Sequence, residues 1–444
     1  MYCDCLIKDC SVLTANYEVH NDYGIVISGK KIIDIGRSAE LQEKYSAGET
    51  YIAQGKLAMP GFIDGHTHTS QQLLRGVISD EYPIIYRRFN MPYEASLTPD
   101  EVRLCTELSC LEMIKSGITA FADAGGTFMV PMIESISKAG LRATVTKATS
   151  DISEGLPQGM SESTAECIKN NEELFLQYNN HSDGRIKIWF QIRSVASCTG
   201  ELIETLAQMA RQHNTGLHMH MSEYSESVLL TLNKFNMREV EYLDSLNALG
   251  PNLLAAHCIL LNDRDIRLLQ ENDVKVVHCP RSNLGKGVTK TPQMIEMGIS
   301  VGLGTDGTAH SGLSMFKEIT AFKHSQIVTW GVPYADNAVM PAKTLLRMAT
   351  YGGAKALGQE KEIGTIEIGK KADLIFIDID QPHLQPTHNL INSLMEAGES
   401  ADVKAMMVDG NWLMKDRCVL TLDEERLLFE GKNSINVINK RMMG

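Results

Sequence analysis

The sequence lacks any apolar run of the roughly 18 residues that a membrane-spanning helix needs, so no membrane partner is expected. It also lacks an excess of basic residues: 42 lysines and arginines stand against 55 aspartates and glutamates, a formal net charge of −13. Because nucleic acid and anionic membranes attract basic surfaces, this balance argues against both as partners. The net charge does not indicate which substrate the protein binds.

Signatures of disulfides and of zinc ribbons are also missing. The ten cysteines are scattered, and Cys3 and Cys5 form C-x-C in place of the paired C-x-x-C spacing of a zinc ribbon. The chain starts with polar residues and not with the apolar core of a secretory signal. We therefore expect reduced thiols and a cytoplasmic protein.

The features that are present are typical of a large α/β enzyme. A chain of 444 residues suits one large barrel with an accessory domain. Between residues 57 and 360, helical stretches such as Pro99 to Ser116 and Thr199 to His213 alternate with eight short apolar runs. That alternation predicts a (β/α)8 TIM-type barrel. The runs begin near Leu57, Ala120, Arg142, Ile186, Gly216, Leu253, Val274 and Ser300.

The two ends of the chain share a different texture. Within residues 1–56, the runs Gly24 to Ser28 and Ile32 to Ile35 flank a glycine-containing turn, which predicts a hairpin. A similar β-rich pattern returns within residues 361–420. We expect these ends to fold together into a small composite β-sandwich, followed by a C-terminal tail, residues 421–444.

Histidine and aspartate residues stand at the ends of several of the apolar runs. The run from Leu57 is predicted to be one buried strand ending in His66 and His68, whose i, i+2 spacing places both imidazoles on one face. Barrel active sites lie at the carboxyl ends of the strands. A catalytic zinc takes three or four nitrogen and oxygen ligands and keeps one position open. The later strand-end candidates are His218, His220, Glu223, His257, His278 and Asp306.

The order of these motifs carries a resemblance to a known family. H-x-H is followed by H-x-x-E, a strand-end histidine, H-C-P with Ser282-Asn283-Leu284, and then Gly304-Thr-Asp-Gly. This order resembles the amidohydrolase superfamily, within it the branch of triazine hydrolases and adenosine-type deaminases, including methylthioadenosine/S-adenosylhomocysteine deaminases. The likeness extends from the N-terminal strands through Lys370-Lys-Ala-Asp-Leu.

The resemblance implies a role for each motif residue. Asp306 would be both a ligand and a proton acceptor, Glu223 would shuttle protons, and His257 would orient the attacking water. Binuclear branches place a lysine at the end of strand four, but Lys187 lies earlier in its run, so a single metal is favoured. Zinc suits the histidine-rich set, and iron or manganese could replace it. The implied metal ligands are His66, His68, His220 and Asp306.

The substrate-binding residues leave alternatives open. Glu94 is placed where nucleoside deaminases of this branch grip the ribose, or else it is a solvated residue before a helix that starts at Thr98-Pro99. Arg193 stands where those enzymes carry a histidine. It would hold an anionic or carbonyl group, or form a structural ion pair. His278 would touch the substrate or brace the site.

The expected reaction is hydrolytic deamination of an amino-substituted N-heterocycle of purine, nucleoside, pterin or triazine type, with release of ammonia. One alternative keeps the site but changes the leaving group, through hydrolysis of a cyclic amide or of a heterocycle with a different substituent. Another is an inactive barrel that serves as a binding protein. The expected partner is a small heterocyclic molecule, and a homo-oligomer is left open.

Overall fold

The computed structural model describes residues 1–81 and 85–443, with two large sheets. The last residue of the predicted tail, Gly444, lies outside the described residues. The strands are β1 (Tyr2–Leu13), β2 (Val19–Ser28), β3 (Lys31–Arg37), β4 (Ser46–Ile52), β5 (Lys56–Pro60), β6 (Phe62–His68), β7 (Ile118–Asp123), β8 (Arg142–Thr146), β9 (Ile186–Ile192), β10 (Leu217–Met221), β11 (Leu253–His257), β12 (Lys275–His278), β13 (Val301–Leu303), β14 (Asp306–Gly307), β15 (Leu374–Asp378), β16 (Val403–Val408), β17 (Asn411–Lys415) and β18 (Cys418–Val419).

Helices fill most of the connections between these strands. The α-helices are α1 (Ser38–Lys44), α2 (Met91–Ser96), α3 (Pro99–Ser116), α4 (Met129–Ala139), α5 (Thr164–Tyr178), α6 (His181–Gly184), α7 (Gly200–Gln212), α8 (Ser225–Phe235), α9 (Glu239–Ser245), α10 (Asp263–Glu271), α11 (Pro280–Asn283), α12 (Thr291–Glu296), α13 (Met315–Gln326), α14 (Ala342–Arg347), α15 (Gly353–Ala356), α16 (Leu390–Ala397) and α17 (Glu424–Met443). Among the described residues, none of the helices is both long and apolar enough to cross a lipid bilayer.

The barrel is a sheet of parallel strands in the order β6 to β13, closed by β14. The eighth barrel strand consists of two short pieces. Its first piece, β13, pairs with β12, and its second piece, β14, pairs with β6. The backbone N–H of Thr305, between the two pieces, donates to the carbonyl of His66 at 3.1 Å. This bond ties the last strand to the first, so that their carboxyl ends meet.

The helices of the barrel follow from local sequence signals. Helix α3 begins after Thr98, whose hydroxyl accepts from the backbone N–H of Glu101, while the Glu101 side chain accepts from the Thr98 backbone in a reciprocal capping box. The helix ends at Gly117, which has a φ of +85°. Glycine adopts this left-handed conformation at little cost, which makes it a common helix terminator. The predicted helix Pro99 to Ser116 is therefore confirmed.

The second sheet joins the two ends of the chain. The N-terminal strands β1 to β5 and the later strands β15 to β18 form one sheet, in which β5 and β15 are antiparallel neighbours. The predicted hairpin is present as β2 and β3. Side chains from both ends, among them Ile25, Ile27 and Phe376, form a buried cluster inside the sheet. The predicted fold class, a TIM-type barrel with a small composite β-sandwich, is confirmed.

The structure corrects one detail of the predicted first barrel strand. The run from Leu57 to His68 is two strands, since β5 belongs to the composite sheet and only β6 belongs to the barrel. The chain passes between the sheets at Gly61, where a Cβ atom would lie 2.0 Å from the Thr119 hydroxyl oxygen. Only glycine fits a backbone that passes so close to its neighbour.

Candidate active site and metal centre

Four side chains that the sequence predicted as ligands lie together at the carboxyl ends of the barrel strands. Nε2 of His68 and Nε2 of His220 are 3.2 Å apart. Oδ1 of Asp306 lies 3.5 Å from Nε2 of His68 and 3.6 Å from Nε2 of His66. The nitrogen atoms of the three histidines lie within 4.8 Å of one another. Strands β6, β10 and β14 thus point their terminal side chains at one position.

Hydrogen bonds outside this cluster orient the imidazole rings. Nδ1 of His220 lies 2.9 Å from the carbonyl oxygen of Arg193, which can only accept, so Nδ1 is the donor and Nε2 keeps a lone pair. Nδ1 of His66 lies 2.9 Å from Nε2 of His218. His218 therefore contacts a candidate ligand from behind and does not face the cluster.

The donor set fits a divalent cation. Burial lowers the pKa of His68 and of His220 well below the usual histidine value, so both rings are neutral and can act as ligands. Nε2 of His66 is buried and makes no hydrogen bond with any described residue. Such an atom is costly unless something outside the chain pairs with it. Three imidazoles and one carboxylate form the set of nitrogen and oxygen ligands that zinc commonly takes.

Asp306 reaches the cluster through an unusual backbone conformation. Its φ is +59°, a region that residues other than glycine adopt at some cost in energy. The backbone N–H of Gly307 donates to its Oδ1 at 2.8 Å, and the hydroxyl of Ser282 donates to its Oδ2 at 2.5 Å. His257 also has a positive φ, +74°. Strained backbone at two candidate catalytic positions is typical of a functional site.

The candidate acid and base groups lie beside the cluster. Oε2 of Glu223 is 3.7 Å from Nε2 of His257, and its Oε1 accepts from Lys286 Nζ at 2.6 Å. Burial alone raises the pKa of Glu223, but the positive charge that His257 can carry and the Lys286 ammonium outweigh this effect, so that the net pKa is lowered. Nδ1 of His257 lies 3.0 Å from Oδ1 of Asn283, which leaves Nε2 facing Glu223.

A cavity of about 300 Å³ opens next to these groups. It is large enough for a small heterocyclic molecule. Glu223 and Asp306 line its floor together with His68 and His220. Its wall combines aromatic and arginine side chains with polar groups, namely Gln71, Tyr86, Arg87, Asn90, Arg193, Ser194, Tyr224, Glu226, Ser227 and His310.

The three predicted substrate-binding residues occupy different positions. Arg193 lines the cavity. Glu94 is 1% exposed and is paired with Arg193, so the alternative interpretation of Glu94 as a solvated residue is wrong. His278 is fully buried, and its Nδ1 donates to the carbonyl of His257 at 2.8 Å. Among the described residues that line the cavity, neither Glu94 nor His278 is found.

Sequence reasoning missed Lys286, Gln71 and Tyr86. Lys286 contacts both Glu223 and Ser282, while Gln71 donates to Glu94 at 3.0 Å and Arg193 donates to the hydroxyl of Tyr86 at 3.0 Å. In the sequence, a lysine between two glycines and a glutamine after H-x-H are indistinguishable from surface residues. Only the adjacency of Lys286 to the Ser282-Asn283-Leu284 motif could have pointed to it.

A parallel barrel with a histidine and aspartate cluster at its carboxyl end defines a class, the metal-dependent barrel hydrolases. Comparison with known proteins makes this assignment specific. The model of the amidohydrolase family matches residues 57–413, and the chain belongs to the amidohydrolase family. The predicted family is therefore confirmed.

Several relatives and a solved structure resemble the whole chain. A 5-methylthioadenosine/S-adenosylhomocysteine deaminase from Pelotomaculum thermopropionicum is 34% identical over 98% of this chain and 99% of its own length. A 5'-deoxyadenosine deaminase from Methanosarcina mazei is 34% identical over 99% of both chains. The crystal structure of an adenosine deaminase from Xanthomonas campestris with bound zinc has a TM-score of 0.92 at 26% identity and covers 99% of both chains.

Proposed function

We propose that this protein is a metal-dependent hydrolytic deaminase that removes the amino group of an N-heterocycle and releases ammonia. The observation that carries the proposal is the convergence of His66, His68, His220 and Asp306 beside Glu223 at the floor of one cavity. The names of the relatives, which are deaminases of adenosine-type molecules, support this reaction and bring nucleosides forward as substrates. A scaffold protein without activity would have no need of this set of buried ionisable groups.

One divalent ion, zinc in the first place, would be held by the three histidines and Asp306. A divalent ion bound there makes water a strong nucleophile at neutral pH, because coordination lowers the pKa of water to about 7. The strand-four lysine of binuclear sites has no counterpart here: Lys187 donates to the side chain of Asn180, away from the cluster. A site with one metal is therefore favoured.

The side chains of the protein would carry the protons. Asp306 would accept a proton from the attacking water, while its Oδ2 stays bonded to Ser282. Glu223 would deliver a proton to the ring nitrogen as water attacks the amino-bearing carbon. The resulting tetrahedral intermediate would lose ammonia after the amine receives the proton held by Asp306, and the proton of the new hydroxyl would return to Glu223 as the carbonyl forms. His257, held by Asn283, would orient the water, and His278 would hold His257 through its backbone carbonyl.

The setting of this activity forms part of the same proposal. We expect the enzyme to act on a free small molecule, not on nucleic acid, because the chain carries a net charge of −13. All ten cysteines are free thiols and nine of them are buried, as expected for a protein of a reducing compartment such as the cytoplasm. Assembly into a homo-oligomer is compatible with the fold.

The experiment that tests the function is a screen for ammonia release. Zinc-loaded protein is incubated with aminated purines, nucleosides, pyrimidines, pterins and triazines. At least one of these should release ammonia, and Glu223→Gln should keep the metal while losing about 10²-fold or more of the activity with that substrate. A panel without any ammonia release, or a Glu223→Gln variant with full activity, would overturn the proposal.

A further inference from the structure

Both oxygens of the Glu94 carboxylate are already bonded inside the protein. Oε1 accepts from Gln71 Nε2 at 3.0 Å, and Oε2 accepts from Arg193 Nη2 at 2.9 Å. The side chain is 1% exposed. Glu94 does not line the cavity, whereas Gln71 and Arg193 do, so a ribose could reach this carboxylate only if one of the two moved aside. The loss of a buried charge-assisted bond is costly.

Arg193 is held from two sides and keeps one donor group for the cavity. Its Nε donates to the Tyr86 hydroxyl at 3.0 Å, and its guanidinium carbon lies 5.5 Å from the centre of the Tyr86 ring. Its Nη1 has no hydrogen-bond partner among the described residues, and this atom is not fully buried. Arg193 lines the cavity, and its Nε and Nη2 bond within the protein, so Nη1 is the donor left for a molecule bound there.

A guanidinium can only donate hydrogen bonds, and it remains charged at every physiological pH. Its partner in the cavity must therefore be an acceptor, best one with negative charge or a strong carbonyl dipole. The backbone of Arg193 also fixes the candidate ligand His220, so that the free donor belongs to the residue that positions the metal site. An acceptor on the ring would thus be bound in a fixed relation to the reacting carbon.

We propose that Glu94 is the counterion that fixes Arg193, and that the substrate is an amino-heterocycle whose ring bears an oxo group received by Arg193 Nη1. This inference rests on the proposed deaminase function and narrows its substrate class. The proposed substrate class differs from the adenosine-type molecules that appear in the names of the relatives. Glu94 is then a positioning residue and Arg193 the residue that selects the substrate.

Matched pairs of bases test the inference, because the amino group leaves the same carbon in both members of a pair. Isoguanine is adenine with one added oxo group, and cytosine is 4-aminopyrimidine with one added oxo group. With zinc-loaded enzyme, the oxo member of at least one pair should have a kcat/KM about 10-fold or more above its partner and above adenosine. If neither oxo member has a kcat/KM above that of its partner, or if adenosine is turned over as well as the better oxo member, the inference is overturned.

A double-mutant cycle tests the role of Glu94. Arg193→Met should remove the preference for the oxo member, and the nearly isosteric Glu94→Gln should reduce it. In the Arg193→Met background, Glu94→Gln should have no further effect, because Glu94 acts through Arg193. If Glu94→Gln instead weakens adenosine turnover to the same degree with and without Arg193, Glu94 grips ribose and the inference fails.

Controls distinguish these outcomes from misfolding and from failure of the proposed reaction. Arg75→Met removes an arginine that pairs with Glu112 but does not line the cavity, and it should keep the preference for the oxo member. Thermal unfolding of each variant shows that it is folded. If no member of the wider panel releases ammonia, the proposed function is wrong. Calorimetric binding of the same base pairs to wild type and to Arg193→Met then still decides whether Arg193 receives the oxo group.

Discussion

Lys286 Nζ lies 2.6 Å from Oε1 of Glu223 and 3.1 Å from the hydroxyl of Ser282, which in turn donates to Asp306. The lysine side chain is only 10% exposed. It therefore connects the candidate proton shuttle with the candidate ligand that accepts a proton. Because its positive charge stabilises the glutamate anion, it sets the proton affinity of the shuttle.

Replacing Lys286 should change the pH dependence of catalysis. The ammonium contributes to the lowered pKa of Glu223, so its loss in Lys286→Met should raise that pKa. The limb of the kcat/KM profile that reports Glu223 should then move to higher pH. We expect this limb to be absent in Glu223→Gln.

Lys290→Met is the matched control for the Lys286 experiment. Lys290 lies in the same segment but pairs with Asp263, and its side chain is 30% exposed. Its profile should coincide with that of the wild type. A Lys286→Met profile that also coincides with the wild type would mean that Lys286 has no influence on Glu223.

Metal content should depend on the ligand cluster and not on the neighbouring His278. Elemental analysis of purified protein should find close to one divalent ion per chain. His220→Ala should lose most of this metal, because Nε2 of His220 lies in the cluster. His278→Gln should retain it, because the Nδ1 of His278 bonds to the backbone carbonyl of His257 and not to the ligand cluster. Two ions per chain, or loss from both variants alike, would contradict the single site.

Stability should fall as pH rises from about 4.5 to about 8 through the titration of Glu239. Burial raises the pKa of this carboxyl to about 8, although Ser222 donates to it. Because the folded pKa lies above the unfolded one, the protonated form is favoured in the fold, and its stabilising effect is lost as pH rises through about 8. Glu239→Gln should reduce this loss of unfolding free energy by a few kcal/mol, on the order of 1.4 kcal/mol per unit of pKa shift.

Denaturant unfolding of wild type and Glu239→Gln at about pH 5 and about pH 9 checks this prediction. The variant should be closer to the wild type at the lower pH, where the native carboxyl is protonated. Equal slopes for the two proteins would show that Glu239 ionises in the fold at no cost.

Arg142 joins the barrel to the composite sandwich, and its replacement should destabilise the protein. This fully buried side chain donates to Asp373 at 2.8 Å and to Asp409 at 2.5 Å, so that a barrel strand is paired with two residues of the chain's later β-rich part. Arg142→Met leaves the buried Asp373 without its guanidinium partner, while Asp409 keeps Lys30 and Lys371 within 4 Å, and the loss should cost about 3–5 kcal/mol. The free energy of unfolding measures this loss, and Arg103→Met, which breaks exposed pairs only, should stay within about 0.5 kcal/mol.

The pattern of the chain was sufficient to predict the barrel and the composite sheet. Apolar runs alternate with helical stretches, and several helices carry start or stop signals, such as Thr98 and Gly117 of α3. The division of the first predicted strand at Gly61 could not be read in this way. Both halves of that run are equally buried, and only the positions of Thr119 and of the second sheet require a break between them.

The candidate ligands were predictable because topology alone brings strand ends together. Whichever way the loops fold, the carboxyl ends of β6, β10 and β14 meet at one edge of a closed barrel. The strand pattern therefore predicted His66, His68, Asp306 and one histidine of the run from Gly216 as neighbours, and the family resemblance selected His220. The sequence left the partners of Glu94 and Arg193 open, because those side chains come from the short helix α2 and from a strand end 99 residues away in the sequence.

Chemistry carried by strand ends was thus determined by the sequence by itself, whereas chemistry carried by side-chain pairing was decided only in the tertiary structure. A strand fixes the direction of each side chain through its period of two residues. The loops that carry Glu223 and Lys286, and the short helix that carries Glu94, have no such fixed relation to the barrel. The pairing of Glu94 with Arg193 and of Lys286 with Glu223 is therefore decided only when these segments pack and each buried charge contacts its partner.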